Sequence, residues 1–388
     1  MMVLNDICNV ITCGVAKRPE YIEKGVPFLS SKNVKSDRFI LNAYNHVSKE
    51  DYLSLTKNNK PEVDDILYTR VGSFGEAAVI DLDFDFAIFV SLTLLKPKKD
   101  IVLPRYLMHY LNSPRIKHLA KNSTSGVGVQ NLNVKVVRQF PINLPPLEQQ
   151  KKIAAILDAA DAYRQKTKAL ITKYDALTQS LFLDMFGDPV RNPKGWTMKP
   201  LKEFGKIVTG NTPSRKNDAN FNDKFIEWIK TNNITSAFTN VTTAKEYLSE
   251  EGLLNSRSVN EGSLLVACIA GSINSIGRAA LTDRKVAFNQ QINAIEPFRN
   301  ISSTFLYYLF KSSSGYIQSH ASNGMKRMLS KGDFQKIKMI CPDIDIQNQF
   351  ADSVKAIEVQ KTQAQASLAQ AENLFNSLLQ RAFKGELV

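Results

Sequence analysis

Long apolar runs are missing from this chain: no stretch of about 18 apolar residues occurs, so no membrane-spanning helix is expected. Cysteine is scarce. Cys8, Cys13, Cys268 and Cys341 form no CxxC pair, which argues against a zinc site or a disulfide framework. The opening MMVLNDICNV lacks a charged region followed by a long apolar one, so a secretory signal is not expected and a reducing cytoplasm is the expected compartment. Catalytic signatures are missing too. No GxxxxGK(S/T) phosphate loop occurs, and Gly126-Val127-Gly128 lacks the third glycine and the preceding strand of a dinucleotide fingerprint. His46, His109, His118 and His320 are scattered, and Pro342-Asp343 has no nearby Glu-x-Lys to make a nuclease. Nothing assembles a nucleophile, a base and an oxyanion site, so a binder is expected, with no catalytic residue, cofactor or metal of its own. Acidic residues are in deficit, 37 against 50 basic ones, for a net charge of +13. An excess of that size points to nucleic acid first and to acidic proteins second.

What the chain does contain is a long helix in its middle. After Pro145-Pro146, which can precede a helix but not continue one, no Gly or Pro appears until Gly187-Asp188-Pro189 supplies a stop. Ile153, Ala160, Thr167, Tyr174 and Leu181 recur every seventh residue, with Ile156, Tyr163, Leu170 and Leu177 as a second row. Two such rows read as a coiled-coil seam, which needs a partner helix. The C-terminal segment supplies one. Phe350, Ile357, Ala364, Ala371 and Leu378 form one row; Val354, Leu368, Phe375 and Ala382 form most of another, interrupted by Lys361. Pro145, Leu147, Gln150 and Ile153 correspond to Pro342, Ile344, Gln347 and Phe350.

The segments before the two helices repeat each other as well. Leu4, Ile7 and Val10-Ile11-Thr12 match Leu201, Phe204 and Ile207-Val208-Thr209. Phe28 to Val34 matches Trp228 to Ile234, and Asp65 to Tyr68 matches Gly262 to Leu265. Gly75 to Val79 matches Gly277 to Leu281, and Leu92 to Pro97 matches Ile292 to Pro297. Short β-rich runs mixed with a few helices make each part α+β. The expected organisation is a globular domain at 1–143, a long helix at 144–186, a turn-rich linker at 187–200, a second globular domain at 201–340 and a second long helix at 341–388. The two helices would pair antiparallel between two globular domains, an internal pseudo-two-fold repeat.

Asn143-Leu144-Pro145-Pro146-Leu147 is only superficially similar to the Asn-Pro-Pro-aromatic loop of amino-methyltransferases; the extra Leu144 and the missing aromatic break it. A proline-marked helix start explains it better. The complete pattern resembles a different family. Two diverged globular repeats stand before long helices, the first helix opening Pro-Pro-Leu-Glu-Gln-Gln and closing Asp-Met-Phe-Gly-Asp-Pro. These features resemble the specificity (S) subunit of type I restriction–modification systems, and the resemblance covers the whole chain. The second helix departs from it by opening Pro-Asp-Ile-Asp. The resemblance implies two target recognition domains, each reading one half of a split, asymmetric DNA site, with the helices setting the gap. It also implies two methyltransferase (M) subunits, which bind S-adenosylmethionine and methylate adenine, and restriction (R) subunits that cleave. The helix ends, with Leu144–Gln150 and Gly187–Pro189, are the expected partner surface.

DNA needs Lys and Arg for phosphates, and Arg, Asn, Gln or Ser at base edges. In the first domain the candidates are Lys17, Arg18, Lys32, Asn33, Arg70, Ser73, Lys121, Asn122, Ser125, Gln130 and Asn131. In the second they are Arg215, Lys216, Lys230, Asn232, Asn274, Arg278, Gln290, Lys326 and Arg327. Arg70 stands out because it follows an apolar strand and precedes the glycine-rich Val-Gly-Ser-Phe-Gly. Asn33 and Asn232 also suit turn capping. Two other readings fit the residues: a coiled-coil scaffold binding RNA or acidic proteins without sequence preference, and an enzyme with an unrecognised site.

Overall fold

The computed structural model of the chain describes residues 2–16, 18–125, 130–236, 238–270, 272–322 and 328–387. Two compact units emerge, 1–168 with 365–388 and 169–364, so each takes part of both long helices. The helices are Leu147–Phe186 and Ile344–Lys384. The first starts just after Pro146, whose carbonyl accepts from the Gln149 and Gln150 amides. It stops at Gly187, where φ is +75° and the Trp196 indole donates to the Phe186 carbonyl at 2.9 Å.

In the first unit an antiparallel sheet runs in the order Cys8–Cys13, Leu92–Pro97, Ile66–Thr69, Ala77–Val79. Side chains alternate between its faces. Ile66, Tyr68 and Leu95 enter a core with Tyr106, Leu107 and the long-helix residues Ile153, Leu157, Phe375 and Leu379. Leu67, Leu92 and Leu94 enter another with Leu29 and Ile88. A smaller sheet of Asn45–Val47, Val26–Leu29 and Ala87–Ile88 contains one parallel pair. The second unit repeats this plan. Gly205–Thr209, Ile292–Pro297, Leu264–Ala267 and Ala279–Leu281 form the large sheet, and Ile226–Ile229 pairs parallel with Val286–Phe288 in the small one. The duplication reaches single side chains. Gln150 accepts from the Leu103 amide at 2.9 Å and donates to the Ile101 and Pro145 carbonyls; Gln347 accepts from Ser302 at 2.9 Å and donates to Asn300 and Pro342. Both are buried, so each fixes a helix start to its domain.

Two sequence correspondences are corrected by one residue. Ile11 and Ile207 face Leu95 and Ile295, so Ile11 matches Ile207 and Val10 does not. The cause is a bulge at Asn9, where the pairing jumps from Val10 to Cys8. Likewise Leu67 matches Leu265, since both face the equivalent alanine, Ala78 or Ala280. The residues at positive φ before that strand are then Asp64 and Gly262.

Within each unit the long-helix segments run antiparallel. In the first, Arg164 packs 4.2 Å from the Phe375 ring centre and Lys168 meets Glu372 at 3.0 Å. In the second, Lys361 meets Asp175 at 2.7 Å and Phe186 packs on Phe350. The C-terminal helix uses the rows its heptads indicate: Phe350, Val354, Ala364, Ala371, Phe375 and Ala382 are all buried. The central helix uses one of its two rows: Ile153 and Thr167 are buried, and Ala160 and Leu181 pack against the cores. Ile156, Tyr163, Leu170 and Leu177 are exposed, at 38–55%. Ala154, Leu157, Asp161, Thr178 and Phe182 are buried in their place. Asp161 binds Arg164, which stacks on Phe375.

A second polar cluster fixes the first domain to its helix. Arg105 donates to Asp37 at 2.7 and 3.1 Å and to Asp158 at 2.5 and 3.2 Å, and the buried His109 ring nitrogen lies 2.6 Å from Asp158. Burial pushes the Asp158 carboxyl up, but the bonds from His109 and Arg105 outweigh it and hold the group below its ordinary 3.8. A lowered carboxylate stabilises the fold above the ordinary value, and that contribution is lost as pH falls through the folded value. Asp158→Asn should therefore cost about 1–2 kcal/mol near neutrality, reduced by the partial exposure of the pair. The difference from wild type should shrink below pH 3.8 in denaturant melts; a constant difference across that range would refute the ionic account.

Candidate nucleic-acid interface

The same frame stands at the same place in both domains, and in the first it carries a cleft. After the first strand of the large sheet, Gly14 and Gly210 pass so close to the Ile88 and Asn289 carbonyls that an added Cβ would lie 2.1 or 2.3 Å from them. Only glycine lets the following loop cross there. On the opposite wall Asn33 accepts from the Ser30 amide at 3.0 Å and donates to the Ile40 and Ala43 carbonyls. Asn233 accepts from Lys230 at 3.1 Å and donates to Thr242 and Thr243. Asn33 is therefore a buried turn staple, which corrects its placement among the DNA-facing candidates.

In the first domain this cleft encloses ≈ 540 Å³ and gathers Arg18 and Lys32 with the rings of Tyr21, Phe28, Tyr44 and Phe89. Among the described residues no carboxylate lines it. In the second domain the counterpart of Phe28 is Trp228, since each pairs parallel with an alanine of the same strand, Ala87 or Ala287. Asn45 opposite Phe28 becomes Glu246, whose carbonyl accepts from the Trp228 amide. Lys230 lies 4.9 Å and Arg215 5.4 Å from the Trp228 ring centre, and Glu246 accepts from both. Those bonds, Lys230 first, hold the Glu246 carboxyl below the ordinary carboxylate range. Cations spread on aromatic faces suit a polyanion with stackable or groove-edge groups.

The remaining candidates divide. Arg70 turns inward: it is 8% exposed, and its guanidinium donates to the Leu132 and Val90 carbonyls and to Asn131 Oδ1, each at 2.9 Å. The expectation that it presents a base-reading fork is thereby corrected, and the exposed Asn131 is its brace. Ser73, Gln130, Lys216 and Asn232 are exposed. Lys121 and Asn122 end the helix Pro114–Asn122, with the Asn122 amide 3.0 Å from the His118 ring. Asn274 and Arg278 line a separate cavity of ≈ 400 Å³, where Arg278 donates to Asn274 and Ser275. Gln290 accepts from Thr212. Lys17, Lys326, Arg327 and the Ser125 side chain lie outside the described residues. Sequence reasoning missed Trp228, Glu246 and the four aromatics of the first cleft. The matched segments starting at Phe28 and Trp228 contained the signal, but the aromatics in them read as core.

Among the described residues no helix is long and apolar enough to cross a membrane, and no cluster of three or more His, Cys, Asp or Glu could hold a metal ion. The sequence pattern of the type I restriction modification DNA specificity domain matches residues 1–173 and 193–371. The type I restriction enzyme HindI specificity subunit of Haemophilus influenzae is 23% identical, over 93% of this chain and 94% of its own length. The solved S subunit of the M. genitalium type I restriction–modification system superposes with a TM-score of 0.58 at 14% identity, covering 98% of this chain and 95% of that one. A chain from a structure of type I R-M complex assembly and conformational transition gives 0.60 at 16% identity, covering 100% of this chain and 97% of that one. With the duplicated α+β domains and the long helix pair, the match over both halves makes this chain a member of the type I restriction–modification DNA specificity family, whose role is DNA sequence specificity.

Proposed function

We propose that this chain reads a split, asymmetric DNA site, one half with each domain, and delivers that reading to catalytic partners. The observation that carries it is one frame built twice with different side chains on it. Phe28, Ser30, Asn45 and Phe89 in the first domain are Trp228, Lys230, Glu246 and Asn289 in the second. Equal frames with unlike linings give two unlike half-sites. The chain itself contributes no catalytic group. Two methyltransferase subunits carrying S-adenosylmethionine would modify adenine, restriction subunits would cleave unmodified DNA, and the cytoplasm is where these meet the chromosome.

A further partner surface beside the helix ends lies on the central helix. At the helix ends Pro146 and Glu148 are exposed while Gln150, Gly187 and Pro189 are buried; Ile156 and Tyr163 stand exposed in the first unit, as do Leu170 and Leu177 in the second. Exposed apolar residues at seven-residue spacing suit a helix from a partner. The exposed Lys152 and Lys173, each one turn before an apolar residue of the row, favour acidic flanks on it.

The test is to map methylated adenines in host DNA with and without this chain. A two-part motif present only with the chain is the expected result. Methylation that does not depend on it, with binding to random duplexes at equal strength, would favour a scaffold without sequence preference.

A further inference from the structure

In each domain the loop after the first sheet strand brings one arginine back onto an aromatic ring. Arg18 follows Cys8–Cys13 and its guanidinium carbon lies 6.0 Å from the Phe89 ring centre. Arg215 follows Gly205–Thr209 and lies 5.1 Å from Phe221 and 5.4 Å from Trp228. The Trp228 ring is buried, and its own N–H is spent on the Asn211 carbonyl at 3.3 Å. Glu246 takes one terminal nitrogen of Arg215 at 2.6 Å. Lys230 occupies the other oxygen of Glu246 and lies 4.9 Å from the same Trp228 ring. Arg215 Nε and Nη1 have no hydrogen-bond partner among the described residues, and the side chain is 58% exposed.

A guanidinium laid on rings and tied at one corner keeps two N–H groups in one plane, already oriented. That fork matches two acceptors side by side, and the major-groove edge of guanine offers such a pair in O6 and N7. A phosphate needs no such plane; a lysine serves it as a point charge. Tethering one corner to a carboxylate is therefore a feature of reading rather than of mere attraction.

We infer that Arg215 is the guanine-reading residue of the second domain, held in its plane by Glu246 and Trp228. This rests on the reading that each domain addresses its own half-site. Glu246 is a positioning residue here: it acts through Arg215 and explains why a carboxylate sits among these cations.

The experiment uses the full chain in complex with its methyltransferase partner, scored for adenine methylation on a duplex library varied at every position. In Arg215→Lys, which keeps the charge and removes the fork, preference for guanine at one position of one half-site should fall about 5- to 150-fold. The other half-site should not change. Glu246→Gln should weaken the Arg215 position alone. An unchanged motif in Arg215→Lys would overturn the inference. So would an equal loss on all sequences, which would make Arg215 a phosphate anchor. A wild-type complex with no two-part motif would instead bring down the proposed function itself, and the inference with it.

Discussion

Arg70→Ala should destabilise the first domain by about 3–5 kcal/mol, because a buried charged group makes three hydrogen bonds there and each is worth about 1.5–3 kcal/mol before relaxation. Its partners are the Leu132 and Val90 carbonyls and Asn131 Oδ1, all at 2.9 Å. Removing the guanidinium leaves these acceptors facing a void lined by strand ends, with water able to repair only part of the loss. Arg70→Lys recovers little, since one ammonium cannot reach three acceptors spread around a planar fork. The second domain solves the same place differently. Cys268 occupies the equivalent position, its amide bonded to the Gln291 carbonyl as that of Arg70 is to Ser91, and its carbonyl accepting from Leu329 as that of Arg70 does from Leu132. There the Asn293 amide reaches the Cys268 sulfur at 3.3 Å, and burial pushes the thiol up to about 12, so it stays neutral. In calorimetry the Arg70→Ala transition should fall by about 10 °C for a unit of this size. The methylated motif of the protein that remains folded should be unchanged. A variant of normal stability with one relaxed position would restore Arg70 as a base reader.

That misreading shows what the sequence could and could not say. Arg70 has the residue type, the strand and the glycine-rich tip of a groove reader. Whether such a side chain points out or folds back depends on which carbonyls come within its reach, and here those belong to Val90 and Leu132, 20 and 62 residues away. The repeat was legible because glycine, glutamine and apolar spacing are dictated locally. Gly75 and Gly277 hold φ near +80°, and Gln150 and Gln347 fasten helix starts in the same way. The heptads of the C-terminal helix were legible for the same reason. In the central helix the strongest apolar row lies on the outside. Periodicity reports that a face is apolar; it does not say whose face covers it. The cation-bearing rings were hardest to see, since Trp228 looks like a core residue until Arg215 and Lys230 above it are located.

Phe350→Ala should unfold the second unit's helix junction at a cost of about 3–5 kcal/mol, the range for truncating a buried phenylalanine. Phe350 is 0% exposed, and its ring meets Phe182, Phe186 and Tyr308 edge-on at 5.6, 5.4 and 5.4 Å. Phe186 in turn packs on Phe305 at 4.8 Å, so one truncation loosens rings from both long helices and the domain helix Ser303–Ser312 together. Edge-to-face pairs lose specific geometry as well as area, which puts the expected cost toward the upper end of that range. Phe350→Leu keeps most of the volume and should cost no more than about 1.5 kcal/mol. No charge takes part in this contact, so the Phe350→Ala deficit should be the same on either side of the carboxylate range, unlike that of Asp158→Asn. The functional outcome follows from where the rings sit. The Ser303–Ser312 helix shares its core with Leu264, Val266 and Ile295 of the large sheet, while Leu265, Ile292 and Ala294 on the other face of that sheet support Ile229 and Phe288 beside Trp228. Methylation assays should then show lost selectivity in the half-site read by the second domain, with the other half retained. Equal loss in both halves, or none, would show that this aromatic cluster does not hold the reading residues in place.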